Sequence, residues 1–193
     1  VLDTETTGLS PQNGHRIVEI GCIELLNKVP TTNNFHQYVN PQREMPEEAF
    51  KVHGLSNQFL STKPLFSDIM DSFLTFIENS TLIIHNASFD LAFINAELKR
   101  QKVADIKNPV LDTVVLARAK FPGSLVNLDA LCKRFNIDNS ERNLHGALLD
   151  AELLSEVYIE LNGGRQQGLN LSVSKNDFNV MDDNKTENLP HVL

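Results

Sequence analysis

Cysteine is scarce in this chain. Cys22 and Cys132 stand far apart and form no C-x-x-C pair. Two are too few for a disulfide framework, and the spacings of zinc sites are absent. That usage fits a reducing cytoplasm. Long apolar runs are missing too: none approaches the ~20 residues a membrane span requires, and no signal peptide is visible. Positive charge is in deficit, with 17 Lys and Arg against 25 Asp and Glu and a net charge of -8. This excludes a general basic surface for long nucleic-acid tracts. Any nucleic-acid contact has to be local, with bound cations offsetting an acidic site. No Gly-rich Walker pattern occurs, which argues against a phosphate-loop NTPase. The chain opens at Val1, directly inside a strand-like run, so we expect residues to precede it.

What is present suits one α/β domain. The 193 residues and 41% hydrophobic content are enough for a buried core. Val1-Leu2 leads into Asp3-Thr4-Glu5, and Thr6-Thr7-Gly8 ends the run with turn formers. In a strand, residues i and i+2 share a face, so Asp3 and Glu5 leave the sheet on one side. Arg16 to Leu26 reads as a strand covered on part of both faces. Asn27 to Asn34 is polar, contains Pro30 and reads as a turn before a third strand, Phe35 to Val39. Short connections make these three an antiparallel meander.

Further on, Pro46-Glu47-Glu48 opens a short helix, and Leu65, Ile69, Phe73, Phe76 and Ile77 recur at helical spacing. Thr81 to His85 is a short strand, with Ser88 as N-cap of a helix from Phe89 to Gln101. Val110-Leu111 is a brief strand, and Asp112 caps a helix through Lys120. Leu128 to Phe135 forms another helix, and the last runs from about Gly146 to Leu161, stopped by Gly163-Gly164. The order predicts a mixed sheet of five strands flanked by helices, within residues 1–164. From Arg165 periodicity is lost, and 165–193 reads as a flexible polar tail.

Four acids occupy unusual places: Asp3 and Glu5 at the end of the first strand, and Asp90 and Asp150 near the starts of two helices. Alone, each has an ordinary reading, as a strand-end acid, a first-turn acid favoured by the helix dipole or a solvated helix residue. Together at one place they would form an anionic pocket, which is unfavourable without cations because like charges repel. Hard divalent ions such as Mg²⁺ prefer oxygen ligands and keep room for a substrate phosphate. His145, five residues before Asp150, cannot share its helix face and should sit on the preceding loop. There it is either a loop histidine with a structural hydrogen bond or a general base working near neutral pH.

These motifs, in this order, resemble the DEDDh family of 3′→5′ exonucleases. They are Asp3-Thr4-Glu5, then Asn86-Ala87-Ser88-Phe89-Asp90, then His145 through Asp150, with matching flanks at Val52-His53-Gly54 and Asn127 to Cys132. The resemblance covers residues 1–161 and is strongest to the proofreading (epsilon) branch that serves bacterial DNA polymerase III. It implies a ribonuclease H-like fold. It also implies that Asp3, Glu5, Asp90 and Asp150 hold two divalent ions, Mg²⁺ or Mn²⁺, and that His145 is the base that activates water. Thr6, with Asp3, Glu5 and Asp150, would meet the terminal nucleotide. His53 is either a pocket residue or a loop-packing histidine, and Phe89 either stacks on a base or packs in the core. The implied partners are a DNA 3′ end and the polymerase III catalytic subunit. Gln166, Leu169 and Leu171 give Q-x-x-L-x-L, which resembles a sliding-clamp docking peptide and equally reads as an ordinary linker. An exoribonuclease of the same family, of the oligoribonuclease or ribonuclease T type, would share the metal chemistry. A non-catalytic replisome scaffold would not need the acids or His145.

Overall fold

The computed structural model describes residues 1–164; the expected tail and its Q-x-x-L-x-L segment lie outside the described residues. Five strands form, as the sequence predicts, in two ladders rather than one. β1 (Leu2–Thr6), β2 (Ile17–Leu26) and β3 (Val29–Tyr38) make an antiparallel sheet in that order. β4 (Leu82–Ile84) and β5 (Val110–Asp112) pair in parallel. β4 lies beside β1. The helices are α1 (Glu47–His53), α2 (Asn57–Leu60), α3 (Phe66–Ile77), α4 (Ala87–Arg100), α5 (Thr113–Lys120), α6 (Leu128–Phe135) and α7 (Ala147–Leu161).

Two local expectations need correction. The third strand starts at Val29, not Phe35, because Asn27 and Lys28 take positive φ values of 53° and 66° and close a two-residue hairpin. Pro30 is tolerated inside β3 because that strand is at the sheet edge, where a missing N–H is harmless. The second correction is the start of α4. Ser88 is not its cap; the helix begins at Ala87, after Asn86 in the left-handed region at φ 67°. The capping comes from another strand. Asp112 accepts from the Asn86 and Ala87 N–H groups at 3.2 and 3.0 Å and, as expected, caps α5 through Val114 N–H at 2.8 Å. One carboxylate thus serves two helix starts.

The meander sheet is covered on both faces, as the mixed pattern of β2 implies. One face carries Leu2, Cys22 and Phe35, which are register partners, packed with Phe73, Phe93 and Ile94 of α3 and α4. The opposite face carries Asp3, Glu5 and their partners Gly21 and Glu19, and α7 lies across β2 there. A second core joins α5, α6 and α7 through Ala117, Leu131, Leu154 and Val157.

Gly21 sets how closely α7 approaches. A Cβ at this position would overlap the backbone of Ala147 and Leu148, in the first turn of α7. Its register partner is Asp3, so the same contact places the start of α7, and with it Asp150, over the first strand acid. Gly21→Ala should therefore force α7 outward and destabilise the fold by about 1–3 kcal/mol, the usual range for overpacking. Thermal melting checks this; an unchanged midpoint would show that α7 can shift freely.

Candidate active site

β1 alternates between the two helical layers, and this alternation assembles the site. Asp3 and Glu5 face α7, which supplies Asp150. Thr4 points the other way and donates its hydroxyl to Asp90 Oδ1 of α4 at 2.7 Å. All four acids and His145 line one cleft of about 420 Å³. Glu5, Asp90 and Asp150 are 7%, 2% and 4% exposed, so their charges are largely removed from water. His145 precedes Gly146, the residue before α7, and is exposed, on the loop where the helix geometry requires it.

The acids are under electrostatic pressure. Burial pushes Glu5 up to about 8, with Asp150, Glu19 and Asp90 adding repulsion. Asp3 keeps an edge on the cleft but is densely surrounded; burial and then Asp90, Glu5 and Asp150 hold it well above the usual range. Burial raises Asp90 to about 7, even though the Thr4 hydrogen bond opposes the rise. Glu19, the register partner of Glu5, is itself buried and is held by His36 Nε2 at 2.7 Å. Such a site favours cations or protons.

Asp150 is the exception, and Arg142 is the reason. Burial alone would raise it, but the hydrogen-bonded Arg142 guanidinium, with His145 close by, prevails and holds it below its ordinary value. The guanidinium is bidentate to Asp150, with Nε to Oδ1 at 2.6 Å and Nη2 to Oδ2 at 2.7 Å. Nη2 also donates to His145 Nδ1 at 2.9 Å, and Nη1 donates to Asp129 at 2.8 Å. Among the described residues lining the cleft, Arg142 is the one cationic side chain of the Lys or Arg type.

Ligand atoms of Glu5, His145 and Asp150 lie within 4.8 Å of one another. Carboxylate oxygens with one imidazole suit a divalent cation. Asp3 and Asp90 line the same cleft outside that trio.

A second, more apolar pocket of about 550 Å³ adjoins the first and shares Thr4, Glu5 and Phe89 with it. Phe89 is half-buried, with its ring 5.0 Å from Phe93, so one side packs inward while the residue lines both cavities. His53 lines the second pocket and is buried; its Nδ1 accepts from Leu55 N–H, and its Nε2 has no hydrogen-bond partner. Burial lowers its pKa, partly offset by the Thr6 backbone. The Thr6 hydroxyl is engaged by the Gly8 carbonyl at 2.7 Å, so Thr6 offers this pocket its backbone more than its side chain. Sequence reasoning missed Thr4 and Arg142. Strand alternation around Asp3 and Glu5 could have indicated Thr4, whereas the pairing of Arg142 is decided by tertiary structure.

The sequence profile of the exonuclease (RNase_T) family matches residues 1–158. The chain belongs to this family. It is 56% identical to the DNA polymerase III subunit epsilon of Rickettsia felis, covering all of this chain and 88% of that protein. It is 49% identical to the Salmonella typhimurium protein of the same name, over 86% of this chain and 71% of that one. Among solved structures, it resembles the nuclease domain of 3'hExo, described as a DEDDh family member bound to rAMP. That match has a TM-score of 0.72 and 15% identity, covering 84% of this chain and 90% of that one. Exonuclease X in complex with 5' overhanging duplex DNA is similar at a TM-score of 0.68 and 24% identity, over 84% and 89%. The fold is therefore that of the ribonuclease H-like exonucleases. No described helix is long and apolar enough to cross a membrane.

The raised acids give a pH signature. Glu5 and Asp90 titrate higher in the folded chain, so their contribution to stability is complete below the ordinary carboxylate values and is lost as pH rises through about 8 and about 7. Chelator-treated protein should therefore melt at lower temperature as pH is raised from about 5 to about 8, and Glu5→Gln should flatten that slope. Calorimetry across the window checks this; a midpoint that climbs with pH would contradict it.

Proposed function

We propose that this chain is a 3′→5′ exonuclease that removes nucleoside 5′-monophosphates from DNA ends as the proofreading subunit of a bacterial replicative polymerase. The observation that carries this reading is the joining of the acidic cleft to the apolar pocket, with Glu5 and Phe89 at their boundary. Similarity to proteins named DNA polymerase III subunit epsilon, over 88% and 71% of their length, supports the biological setting.

The terminal nucleotide is taken in two parts. Its base and sugar enter the apolar pocket, where Phe89 offers a ring face for stacking and His53 Nε2 an unused donor. Its phosphate lies over the acids. Asp3, Glu5, Asp90 and Asp150 are the residues that would hold two divalent ions, Mg²⁺ or Mn²⁺. When bound, such ions supply Lewis acidity toward the phosphodiester and its attacking water. His145 takes the proton of that water, reaching it from the exposed loop. The water oxygen bonds to phosphorus as the phosphorus–oxygen bond to the preceding nucleotide breaks, and the departing 3′-oxygen takes up a proton from solvent to leave a free 3′-hydroxyl. A pocket that accepts only an unpaired nucleotide selects mispaired ends by their lower unpairing cost.

Similarity to proteins named DNA polymerase III subunit epsilon supports the polymerase III catalytic subunit as partner. For the sliding clamp the support is the Q-x-x-L-x-L of Gln166, Leu169 and Leu171.

A 5′-labelled single-stranded DNA should shorten stepwise from its 3′ end in Mg²⁺ or Mn²⁺ and stay intact in EDTA. Asp3→Ala with Glu5→Ala should abolish this while circular dichroism is unchanged. His145→Ala should lower turnover by about 10²–10⁴-fold, as for loss of a general base, and retain DNA binding. Faster cleavage of the matching RNA would assign the chain to the ribonuclease branch. Activity of the double variant near wild type would remove the acids from the mechanism.

A further inference from the structure

Arg142 stands where the proposed chemistry has no place for a cation. Its guanidinium covers both oxygens of Asp150, and its Nη2 points at His145. Guanidinium groups only donate, so His145 Nδ1 must be the acceptor, and in the neutral ring the proton is then on Nε2. Neither nitrogen is free to take a proton from water in this arrangement. The Arg142 side chain is 7% exposed, so the contact is enclosed and not a surface ion pair. On its outer side the same group reaches Asp129, which is 58% exposed. The backbone secures the loop independently, with His145 N–H donating to Val52 O at 3.0 Å and Arg142 N–H to Asn139 O at 3.0 Å. The side chain can therefore change partners without unfolding the loop.

We propose that Arg142 is a latch: it holds Asp150 and His145 in a closed pairing that divalent cations must break, and Asp129 retains it afterwards. This rests on the reading of Asp150 as a metal ligand and His145 as the base. Ion binding at Asp150 has to compete with the fork for both carboxylate oxygens. Release of Arg142 then frees His145 as well, so the base becomes available only once the cations are in place. Arg142 acts through these two residues and is a positioning residue. Its guanidinium balances the charge of Asp150 through both carboxylate oxygens.

The test is Mn²⁺ titration of the full chain after chelator treatment, by calorimetry with free Mn²⁺ followed by electron paramagnetic resonance. Arg142→Lys keeps the charge but loses the fork. On the latch reading, Arg142→Lys and Arg142→Gln both bind Mn²⁺ about tenfold more tightly than wild type, the weight of one charge-assisted hydrogen bond. Wild-type affinity in Arg142→Lys would reduce the effect to simple charge and overturn the proposal. Weaker binding would overturn it in favour of a residue that prepares Asp150 for the ion. A wild-type protein that binds no Mn²⁺ would remove the metal-site reading, and the latch with it. Should either variant fail to fold, the wild-type Arg142 Nε–H resonance decides. It should shift and lose exchange protection on Mg²⁺ saturation, and an unmoved, protected signal would overturn the latch.

Discussion

The repulsion among buried carboxylates is the constraint on which the rest of this structure depends. Asp3, Glu5, Asp90 and Asp150 share a cleft from which water is largely withdrawn, and Glu19 adds a fifth buried charge behind Glu5. Burial pushes all four cleft acids upward before any neighbour is counted, and only Asp150 is brought back below its ordinary value. In a low dielectric such a group is tolerated only if each member has a donor or a cation. Thr4 serves Asp90, Arg142 serves Asp150 and His36 serves Glu19. Asp3 and Glu5 are the least compensated.

Holding charges together in this way needs a stiff frame. The frame is made of contacts that leave little room for adjustment. Gly21 lets the backbone of α7 rest on β2. Asp112 fixes the first turns of α4 and α5 from one carboxylate. Arg16 forms a bidentate pair with buried Glu97, at 2.6 and 2.8 Å, and ties the start of β2 to α4. Two of these contacts hold the starts of helices that deliver site acids, Asp90 on α4 and Asp150 on α7. The loop carrying His145 is held differently, by two backbone bonds and by a side chain that is itself part of the charge balance.

Much of this was legible in the residues. Asp3 and Glu5 share a face because strands have period two, and His145 falls outside its helix because helices have period 3.6. The limits of α5, α6 and α7 follow from their caps and their apolar spacing. The third strand was misjudged because Pro30 is a turn former by composition, and its tolerance depends on lying at a sheet edge. Ser88 was misjudged as a cap because the group that caps α4 is Asp112, remote in sequence.

The sequence by itself determined which residue types were available and on which side of its element each would stand, since strand and helix periods are local properties of the backbone. It also carried the family, through three short motifs kept in order. Only the tertiary structure decided the pairings. That Thr4 answers Asp90 across the sheet, that Glu19 lies behind Glu5 and that Arg142 closes over Asp150 and His145 are facts of proximity. The physical reason is that a charge is felt by whatever lies within a few ångströms in a poorly screened interior. Folding, not chain order, determines what those neighbours are.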